Sequence, residues 1–395
     1  MNKLEKLIAQ LCPNGVEYKK IKDVYKRLKG TPITAAKMKE IENPDGEIKI
    51  FAGGKTVIDA AEDDIPNANI TRVPAVLVQS RGVIDAIYYD KPFTFKNEMW
   101  AYTADEKLSV KFLYYVLKNN MEYFRTAASG MGSMPQISLS VTEEFTIPLP
   151  PLAVQREIVR ILDNFTELTA ELTAELTARR KQYAYYRDEL LDMRTNEKIK
   201  WKMIGETSTF RRGSFPQPYG NKEWYDGKGA MPFVQVADIG EDMRLVEDTK
   251  RKISVVAQSK SVFAPKGSIV ISLQGSIGRI AVTQYDAYID RTVAIFQNIS
   301  NDILPKYFVY QLQKIFSIKE KTARGSTIKT ITKEEFTNFQ IPIPPLSEQA
   351  RIVSILDRFD ALCNDLTSGL PAEIEARKKQ YEYYRDKLLT FQAVE

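Results

Sequence analysis

Two long stretches of the chain carry apolar residues at helical spacing. In the first, Ile158, Ile161, Phe165, Leu168 and Leu172 step by three and four positions, and the apolar stripe continues beyond them. Residues with this spacing share one face of a helix, so the stretch predicts a long amphipathic helix. About 40 residues at 1.5 Å each would make a rod of about 60 Å.

A second stretch repeats this stripe closely. A single helix cannot bury such a stripe alone, so we predict that the two helices pack against each other as an antiparallel coiled coil. Two unrelated surface helices, each lying on its own domain, are the alternative. The residues predicted to pair are Leu162, Phe165, Leu168, Leu172 and Leu176 in the first helix, and Leu356, Phe359, Leu362, Leu366 and Ile374 in the second.

The regions before the helices have a different pattern. Short β-rich runs such as VPAVLV, GSIVISL and RTVAIF alternate with Gly, Pro and Asn turns and a few helical stretches. This texture is typical of a mixed α/β domain. A proline-rich stop, IPLPP or IPIPP, then precedes each long helix, because proline fixes φ and disfavours helix just before it. The predicted fold class is therefore α+β, with two mixed α/β domains alternating with two long helices.

The same order of segments occurs twice along the chain. The segment IPLPPLAVQREIVRILDNF at Ile147 recurs as IPIPPLSEQARIVSILDRF at Ile341, and QYAYYRDELL at Gln182 recurs as QYEYYRDKLL at Gln380. The sequence therefore predicts one duplicated module of roughly 195 residues, and not a short solenoid repeat. The predicted segments are a first globular domain at 1–150, a first helical region at 151–195, a second globular domain at 196–344 and a second helical region at 345–395.

The two helical regions differ in one place. The first contains the tetrapeptide TAEL in tandem, at Thr169–Leu172 and Thr173–Leu176. The second contains Gly369 and Pro371, which predict a break or kink in that helix. TAEL is either a good helix former with an apolar residue every four positions, or a unit of length, since four residues add about 6 Å.

Composition narrows the classes of function. The chain has 395 residues, no histidine and a net charge of +5. Without histidine, Ser-His-Asp and Cys-His catalysis and most zinc sites are excluded. The two cysteines, Cys12 and Cys363, make neither a disulfide framework nor a metal cluster. The chain has no apolar run of about 18 residues, so we expect no membrane span and a cytoplasmic location.

The charge distribution and the short motifs give no sign of a catalytic site in this chain. Acidic residues slightly outnumber basic ones in 152–192 and 346–390, so the positive charge lies in the globular domains. This distribution is either ordinary surface scatter or a sign that those domains face a polyanion. Residues 43–56 contain amino acids found in nuclease, amino-methyltransferase and phosphate-loop motifs. In each case either the spacing or a required residue does not match the motif. We predict no catalytic residue and no bound metal.

If the globular domains face a polyanion such as DNA, its contacts are expected in their polar, glycine-containing loops. Lys and Arg neutralise phosphates, and Arg, Lys, Gln and Asn discriminate base edges. A solvated surface residue is the alternative for any single member of the set. The predicted DNA-binding residues are Lys55, Gln79, Ser80, Arg81, Arg125 and Gln136 in the first domain, and Arg211, Arg212, Gln217, Gln235, Gln274, Arg279, Arg324 and Lys329 in the second.

The duplicated helical motifs and the tandem TAEL carry a family resemblance. The whole chain resembles the DNA-specificity (S) subunits of type I restriction–modification systems, and the TAEL repeat is similar to the subgroup often called type IC. The resemblance implies two target-recognition domains, at 1–150 and 196–344, joined by conserved helical regions that act as a coiled-coil spacer. Each domain would read one half of a split DNA site, with the gap set by the number of repeats.

The resemblance also implies partners and excludes cofactors. Double-stranded DNA, two methyltransferase subunits and motor–nuclease subunits are the expected partners, and no membrane is expected. S-adenosylmethionine, ATP and Mg²⁺ are expected on the partner subunits alone, so the chain is a non-catalytic subunit of a methyltransferase and endonuclease complex. The alternatives are a self-sufficient methyltransferase or nuclease, a coiled-coil adaptor without a DNA role, and a stand-alone DNA-binding regulator.

Overall fold

A computed structural model describes residues 3–129, 134–194, 196–240, 242–322, 333–365 and 367–394; the side chains of 318–322 and 333 are left out of the description. The contacts divide the chain into two compact units. Unit 1 comprises Met1–Glu171 and Ile374–Glu395, and unit 2 comprises Leu172–Glu373. None of the helices in the described ranges is both long and apolar enough to cross a bilayer. The four segments drawn from the sequence stay a prediction.

Unit 1 combines three small sheets with helices. Its elements, apart from the two long helices, are α1 Lys3–Leu11, β1 Tyr18–Lys20, α2 Ile21–Val24, β2 Lys26–Leu28, α3 Ala35–Glu40, β3 Ile48–Phe51, β4 Val57–Ala60, β5 Ala75–Gln79, β6 Asp85–Tyr89, β7 Phe93–Phe95, β8 Trp100–Thr103, α4 Lys107–Asn119, α5 Met121–Thr126, α6 Leu139–Glu143 and β9 Thr146–Pro148. The sheet orders are β2-β8-β5-β6, β4-β3-β7 and β1-β9. Strand β7 runs parallel to β3, and the other pairs are antiparallel.

Strand β5 is buried on both faces, which explains the apolar run from Ala75 to Val78. Successive side chains of a strand point to opposite faces. Val76 and Val78 belong to the core formed with α4, whereas Ala75 and Leu77 belong to a separate core that contains Phe93. The sheet β2-β8-β5-β6 therefore lies between a helical layer and an aromatic cluster.

Unit 2 repeats this plan. Its elements, apart from the long helices, are β10 Lys200–Met203, α8 Ile204–Thr207, β11 Thr209–Arg212, β12 Met231–Val234, β13 Lys252–Ile253, α9 Val255–Gln258, β14 Val262–Ala264, β15 Ile269–Ser272, β16 Ile280–Val282, β17 Ala287–Ile289, β18 Val293–Gln297, α10 Pro305–Thr322, α11 Lys333–Thr337 and β19 Gln340–Ile343. The sheet orders are β11-β18-β15-β16, β13-β12-β17-β14 and β10-β19. Strand β17 runs parallel to β12. Ile269 and Ile271 of β15 face the core with α10, and Val270 faces the other core.

The predicted long helices come directly after the proline-rich stops. Helix α7 spans Leu152–Leu190, shortly after β9. The second helical region is two helices, α12 at Leu346–Asn364 and α13 at Leu370–Leu389. The break lies where Gly369 and Pro371 predict it. A Cβ on Gly369 would stand 2.5 Å from the carbonyl oxygen of Ala361, so the turn accepts glycine alone without a shift of the backbone.

The helices pair antiparallel, and their aromatic contacts include tyrosines that are not among the predicted pairing residues. In unit 1, Phe165 of α7 stacks on Tyr384 of α13, with ring centroids 5.5 Å apart. In unit 2, Tyr186 of α7 stacks on Phe359 of α12 at 5.9 Å, and the Arg180 guanidinium approaches the Cys363 carbonyl oxygen at 3.5 Å. The phenylalanine of each motif thus meets a YYRD tyrosine from the other copy, because antiparallel helices bring the start of one to the end of the other.

The predicted pairing residues differ in how far they are buried. Leu162 is fully buried in the core of unit 1, and Leu356 is fully buried in that of unit 2. Ile374 is buried, whereas Leu362 is 38% exposed, which corrects its place in the seam. Leu168, Leu172 and Leu176 are half-buried on α7, and Leu366 lies outside the described residues.

A polar clamp joins each long helix to its own globular region, once in each unit. In unit 1, Asp163 accepts from the Tyr115 hydroxyl at 2.5 Å and pairs with the Lys111 ammonium at 2.8 Å. In unit 2, Asp357 accepts from the Tyr310 hydroxyl at 2.6 Å and pairs with the Lys306 ammonium at 2.8 Å. Burial, together with the hydrogen bond to a carboxylate, raises the pKa of both tyrosines far above the usual range.

Removal of the clamp carboxylate is expected to destabilise unit 2. Asp357→Ala leaves the buried Tyr310 hydroxyl without its charged acceptor, so the free energy of unfolding should fall by about 2 kcal/mol. Hydrogen–deuterium exchange in α10 and α12 measures this directly. Asp386→Ala is the matched control, since that helical carboxylate is 63% exposed and should contribute almost nothing. Equal protection in the two variants would contradict the prediction.

Candidate nucleic-acid interface

Three loops of unit 1 meet at one edge of the β2-β8-β5-β6 sheet. We call residues 52–56, 80–84 and 134–136 the first loop cluster. The amide N–H of Gly54 donates to the Arg81 carbonyl at 3.2 Å, and the N–H of Gly82 donates to the Pro135 carbonyl at 2.9 Å. Gly82 has φ +80°, and a Cβ there would meet the Gly54 Cα at 3.5 Å. These contacts bring distant parts of the sequence together.

Gln79 and Ser80 support this cluster from inside. Their side chains are 4% and 1% exposed. The Gln79 amide donates to the Gly54 carbonyl at 2.7 Å, and the Ser80 hydroxyl donates to the Glu98 carbonyl. Because both side chains are buried and engaged, direct contact of either with DNA is not favoured, and their role is to position the loops.

Of the predicted DNA-binding residues in the first loop cluster, Lys55, Arg81 and Gln136 are exposed. The Arg81 Nε donates to the Met134 sulfur at 3.2 Å, which orients the guanidinium without neutralising it. Arg125 is exposed on α5. In the described part of the chain, no hydrogen bond joins the Arg125 side chain to the cluster. Two cations and an amide at one sheet edge suit phosphate and base-edge contacts.

In unit 2, residues 213–220 form what we call the second recognition loop. Two aromatic side chains fix it, since the Tyr225 hydroxyl donates to the Tyr219 carbonyl at 2.7 Å and the Trp224 Nε1 donates to the Pro218 carbonyl at 3.1 Å. The buried Asp290 carboxylate accepts from the Tyr219 hydroxyl at 2.6 Å. Burial and this bond raise the pKa of Tyr219, so its hydroxyl remains a donor at neutral pH.

Three exposed cations surround these rings. The Arg251 guanidinium lies 4.7 Å from the centroid of Tyr225, the Arg291 guanidinium 5.7 Å from that of Tyr219, and the Lys260 ammonium 5.1 Å from that of Trp224. Cation–π contact orients a cation and leaves its donors available to a further anion. Basic groups interleaved with aromatic rings are typical of nucleic-acid surfaces.

The predicted DNA-binding residues of unit 2 differ in exposure and in hydrogen bonding. Arg211, Arg212, Gln217 and Gln274 are exposed. The Gln235 amide donates to the Tyr219 hydroxyl, so this side chain supports the second recognition loop. Arg279 is half-buried and donates to the Ile239 carbonyl at 3.2 Å. Arg324 and Lys329 lie outside the described residues.

Sequence reasoning missed Arg251, Lys260 and Arg291. They are separated along the chain, and each stands in a segment without glycine-rich loop character. The available signal was the set of aromatic residues Tyr219, Trp224 and Tyr225 in one short polar stretch. Such rings favour cationic neighbours, but the sequence does not show which Lys or Arg side chains these are.

Comparison with known proteins agrees with this duplicated architecture. The family model described as "Type I restriction modification DNA specificity domain" matches residues 13–179 and again residues 202–376. This double match, together with the repeated fold, defines a protein with two DNA-specificity domains. The chain belongs to the family of type I restriction–modification specificity subunits.

Individual relatives support the same assignment. The chain is 38% identical over 303 residues to the EcoR124I/EcoR124II specificity subunit of Escherichia coli, covering 73% of this chain and 72% of that protein. It is 35% identical over 316 residues to a putative specificity subunit of Haemophilus influenzae, covering 76% and 77%. The fold matches the crystal structure of an S subunit from M. genitalium with a TM-score of 0.60 at 17% identity, covering 95% and 96%.

Proposed function

We propose that the chain recognises a bipartite DNA sequence with a fixed gap and assembles the catalytic subunits of a type I restriction–modification complex. One observation carries this proposal: the specificity domain occurs twice, and each copy has its own loop surface. Two readers within one chain fit a site of two half-sequences, just as pseudo-symmetric DNA-binding proteins fit split sites.

The surface chemistry supports two different readers. The first loop cluster offers Lys55, Arg81 and Gln136, whereas the second recognition loop lies among aromatic rings and three cations. Because the side chains differ, the two half-sites should differ in sequence. A stand-alone DNA-binding regulator would use the same surfaces, and an adaptor would need neither.

In this proposal the chain recognises the DNA sequence, and its partner subunits carry out the catalytic steps. Two methyltransferase subunits and motor–nuclease subunits would complete the complex, with S-adenosylmethionine, ATP and Mg²⁺ bound by those partners. The absence of histidine from the sequence is consistent with this division, since it removes the commonest general base. The paired helices α7, α12 and α13 present exposed tyrosines, Tyr185 at 64% and Tyr383 at 62%, as candidate partner contacts.

Methylation mapping tests the proposal. The chain is co-expressed with a methyltransferase subunit of a type I system that forms a complex with it, and methylated adenines are located across the host genome by single-molecule sequencing. The expected result is a two-part motif with a gap of constant length. An uninterrupted motif, or no methylation by an intact complex that binds S-adenosylmethionine, would favour the regulator or the adaptor instead.

Loss of two cations at the second recognition loop is expected to weaken DNA binding. Arg251→Gln with Arg291→Gln should lower the affinity of the methyltransferase complex for its site by about tenfold or more, and lower the slope of log K against log salt by about 1 to 2. Fluorescence anisotropy at several salt concentrations measures both quantities. Lys378→Gln with Lys387→Gln, on α13, removes the same charge and should leave the slope unchanged. Equal effects of the two pairs would remove the second recognition loop from the interface.

A further inference from the structure

An equivalent loop in each unit follows an interior strand of a four-stranded sheet. In unit 1 it is residues 80–84, between β5 and β6, and in unit 2 it is residues 273–279, between β15 and β16. Each loop contains a glycine in the left-handed region of φ, which other residues rarely adopt: Gly82 at +80° and Gly275 at +78°. The two loops therefore bend in the same way.

The first residue of each loop is attached at the same place in the fold. When the two glycines are matched, Ser80 corresponds to Leu273, and both residues are buried. The Ser80 hydroxyl donates to the Glu98 carbonyl, and the Leu273 N–H donates to the Thr292 carbonyl at 2.9 Å. Both carbonyls lie just before the neighbouring strand of the sheet, which is β8 beside β5 and β18 beside β15. The loops are thus equivalent in the structure as well as in the sequence.

The next residue is exposed in both loops but differs in chemistry. It is Arg81 in unit 1 and Gln274 in unit 2. The Arg81 Nε donates to the Met134 sulfur at 3.2 Å, and among the residues that the structure describes no carboxylate pairs with this guanidinium. The Gln274 amide makes no hydrogen bond within the described ranges. Its loop is held instead by Ser272, whose hydroxyl donates to the Ser276 carbonyl at 2.5 Å. Each polar head group is therefore available to an external ligand.

An exposed cation lies close to each of these loops. In unit 1, Lys55 follows Gly54, whose N–H donates to the Arg81 carbonyl at 3.2 Å. In unit 2, Arg291 directly precedes Thr292, to whose carbonyl the loop is bonded. Phosphate contacts by such cations position a protein on DNA, and the sequence is specified by contacts to base edges. A polar side chain without an internal partner, on a fixed loop beside a cation, suits a base-edge contact.

We propose that Arg81 and Gln274 read corresponding positions of the two half-sites, Arg81 the guanine of a G·C pair and Gln274 the adenine of an A·T pair. A guanidinium donates to O6 and N7 of guanine, whereas a carboxamide accepts from N6 of adenine and donates to N7. Because the Arg81 Nε is bonded to Met134, the two terminal nitrogens are the donors for guanine. This inference rests on the proposed function and names what each domain selects.

Reciprocal substitutions test this assignment. Arg81→Gln should change the preference at one position of one half-site from G to A, and Gln274→Arg should change the corresponding position of the other half-site from A to G. Arg81→Ala and Gln274→Ala should make the same positions degenerate, with a loss of about tenfold to a hundredfold in discrimination. Methylation mapping of each variant complex gives the motif. Fluorescence anisotropy with duplexes that differ at that one base pair gives the preference without requiring methylation.

Single-charge variants beside the two loops are the matched controls. Lys55→Gln and Arg291→Gln should weaken binding to all sequences and leave the motif unchanged, because they remove phosphate contacts. The half-site of the unsubstituted unit should stay intact in every variant, which shows that the complex is folded. A motif that neither reciprocal variant alters, or an effect of Arg81→Gln that is equal for all sequences, would overturn the assignment. A wild-type motif without a gap would instead contradict the bipartite site, so the two failures are distinguishable.

Discussion

Insertion of a third TAEL after Leu176 is expected to widen the gap in the methylated motif by one or two base pairs and to leave both half-sites unchanged. Helix α7 is continuous from Leu152 to Leu190, so four more residues lengthen it by about 6 Å, against about 3.4 Å for each base pair. The prediction rests on the proposed bipartite site and on the expectation, implied by the resemblance, that the number of repeats sets the gap.

The local structure makes this insertion acceptable to the helix. In the tandem repeats, Leu172 and Leu176 are half-buried, whereas Ala170, Glu171 and Glu175 are exposed. Four residues turn a helix by about 400°, which is about 40° beyond one turn, so a further leucine falls close to the same face. The added turn therefore continues the apolar stripe.

A three-residue insertion is the sharp control. Adding AEL lengthens the helix by about 4.5 Å but rotates the rest of α7 by about 300°, so the apolar stripe beyond Leu176 leaves its face. We expect loss of methylation activity or of a stable complex with that variant, while the TAEL insertion remains active. An active TAEL variant whose motif keeps the original gap would show that α7 does not set the spacing.

The second large effect is expected from Gly213→Ala, at the start of the second recognition loop. A Cβ at this position would lie 2.2 Å from the carbonyl oxygen of Ile289 and 2.3 Å from that of Asp290. Both are backbone atoms at the end of β17, which is paired on one side with β12 and on the other with β14. Because these two strand pairings hold the backbone in place, the free energy of unfolding of unit 2 should fall by about 3 kcal/mol or more.

The same substitution should affect recognition as well as stability. Asp290 accepts from Tyr219, and its other oxygen accepts from the Thr292 hydroxyl at 2.7 Å. Displacing this residue moves the rings that orient Arg251 and Arg291. Methylation mapping should therefore show one half-site lost or degenerate and the other intact.

Gly220→Ala is the control in the same loop, because a Cβ there meets nothing within 4 Å. The two units need not unfold together, so a single midpoint is not informative. Hydrogen–deuterium exchange of β17 and β18 follows unit 2 alone. Faster exchange in Gly213→Ala and unchanged exchange in Gly220→Ala is the expected pattern. Equal protection in both variants would contradict the packing argument.

Several features were determined by the sequence alone, because they depend on local chemistry. The duplicated motifs predict two copies of one plan. The structure repeats one four-stranded sheet, one two-stranded sheet and the clamp in each unit, whereas the remaining sheet has three strands in unit 1 and four in unit 2. Helix α7 begins just after the proline-rich stop, and Gly369 and Pro371 mark the break between α12 and α13. Proline and glycine act on their own backbone, so their positions can be read without knowing the fold.

Other features were decided only by the tertiary structure. Gln79 and Ser80 look like surface polar residues in sequence, but they are buried and bonded to the loop at Gly54 and to the turn at Glu98. Arg251 and Arg291 become a pair only because both guanidinium groups lie within 6.0 Å of the centroid of the same ring, that of Tyr219. Contacts between residues far apart in the chain leave no periodic signal in either segment.

The contacts between the long helices, and the surroundings of Gln155 and Gln349, also could not be predicted from the sequence. Matching stripes predict that the helices pair, but not that Phe165 meets Tyr384 and Phe359 meets Tyr186, since either register buries apolar surface. Gln155 and Gln349 occupy equivalent positions in nearly identical motifs. Helix α4 starts one turn earlier than α10, and in the described part of the chain the Gln155 Oε1 receives no hydrogen bond, whereas the Gln349 Oε1 accepts from the Leu304 N–H. Sequence thus determined which elements form and where they end, whereas the directional bonds between them required the folded chain.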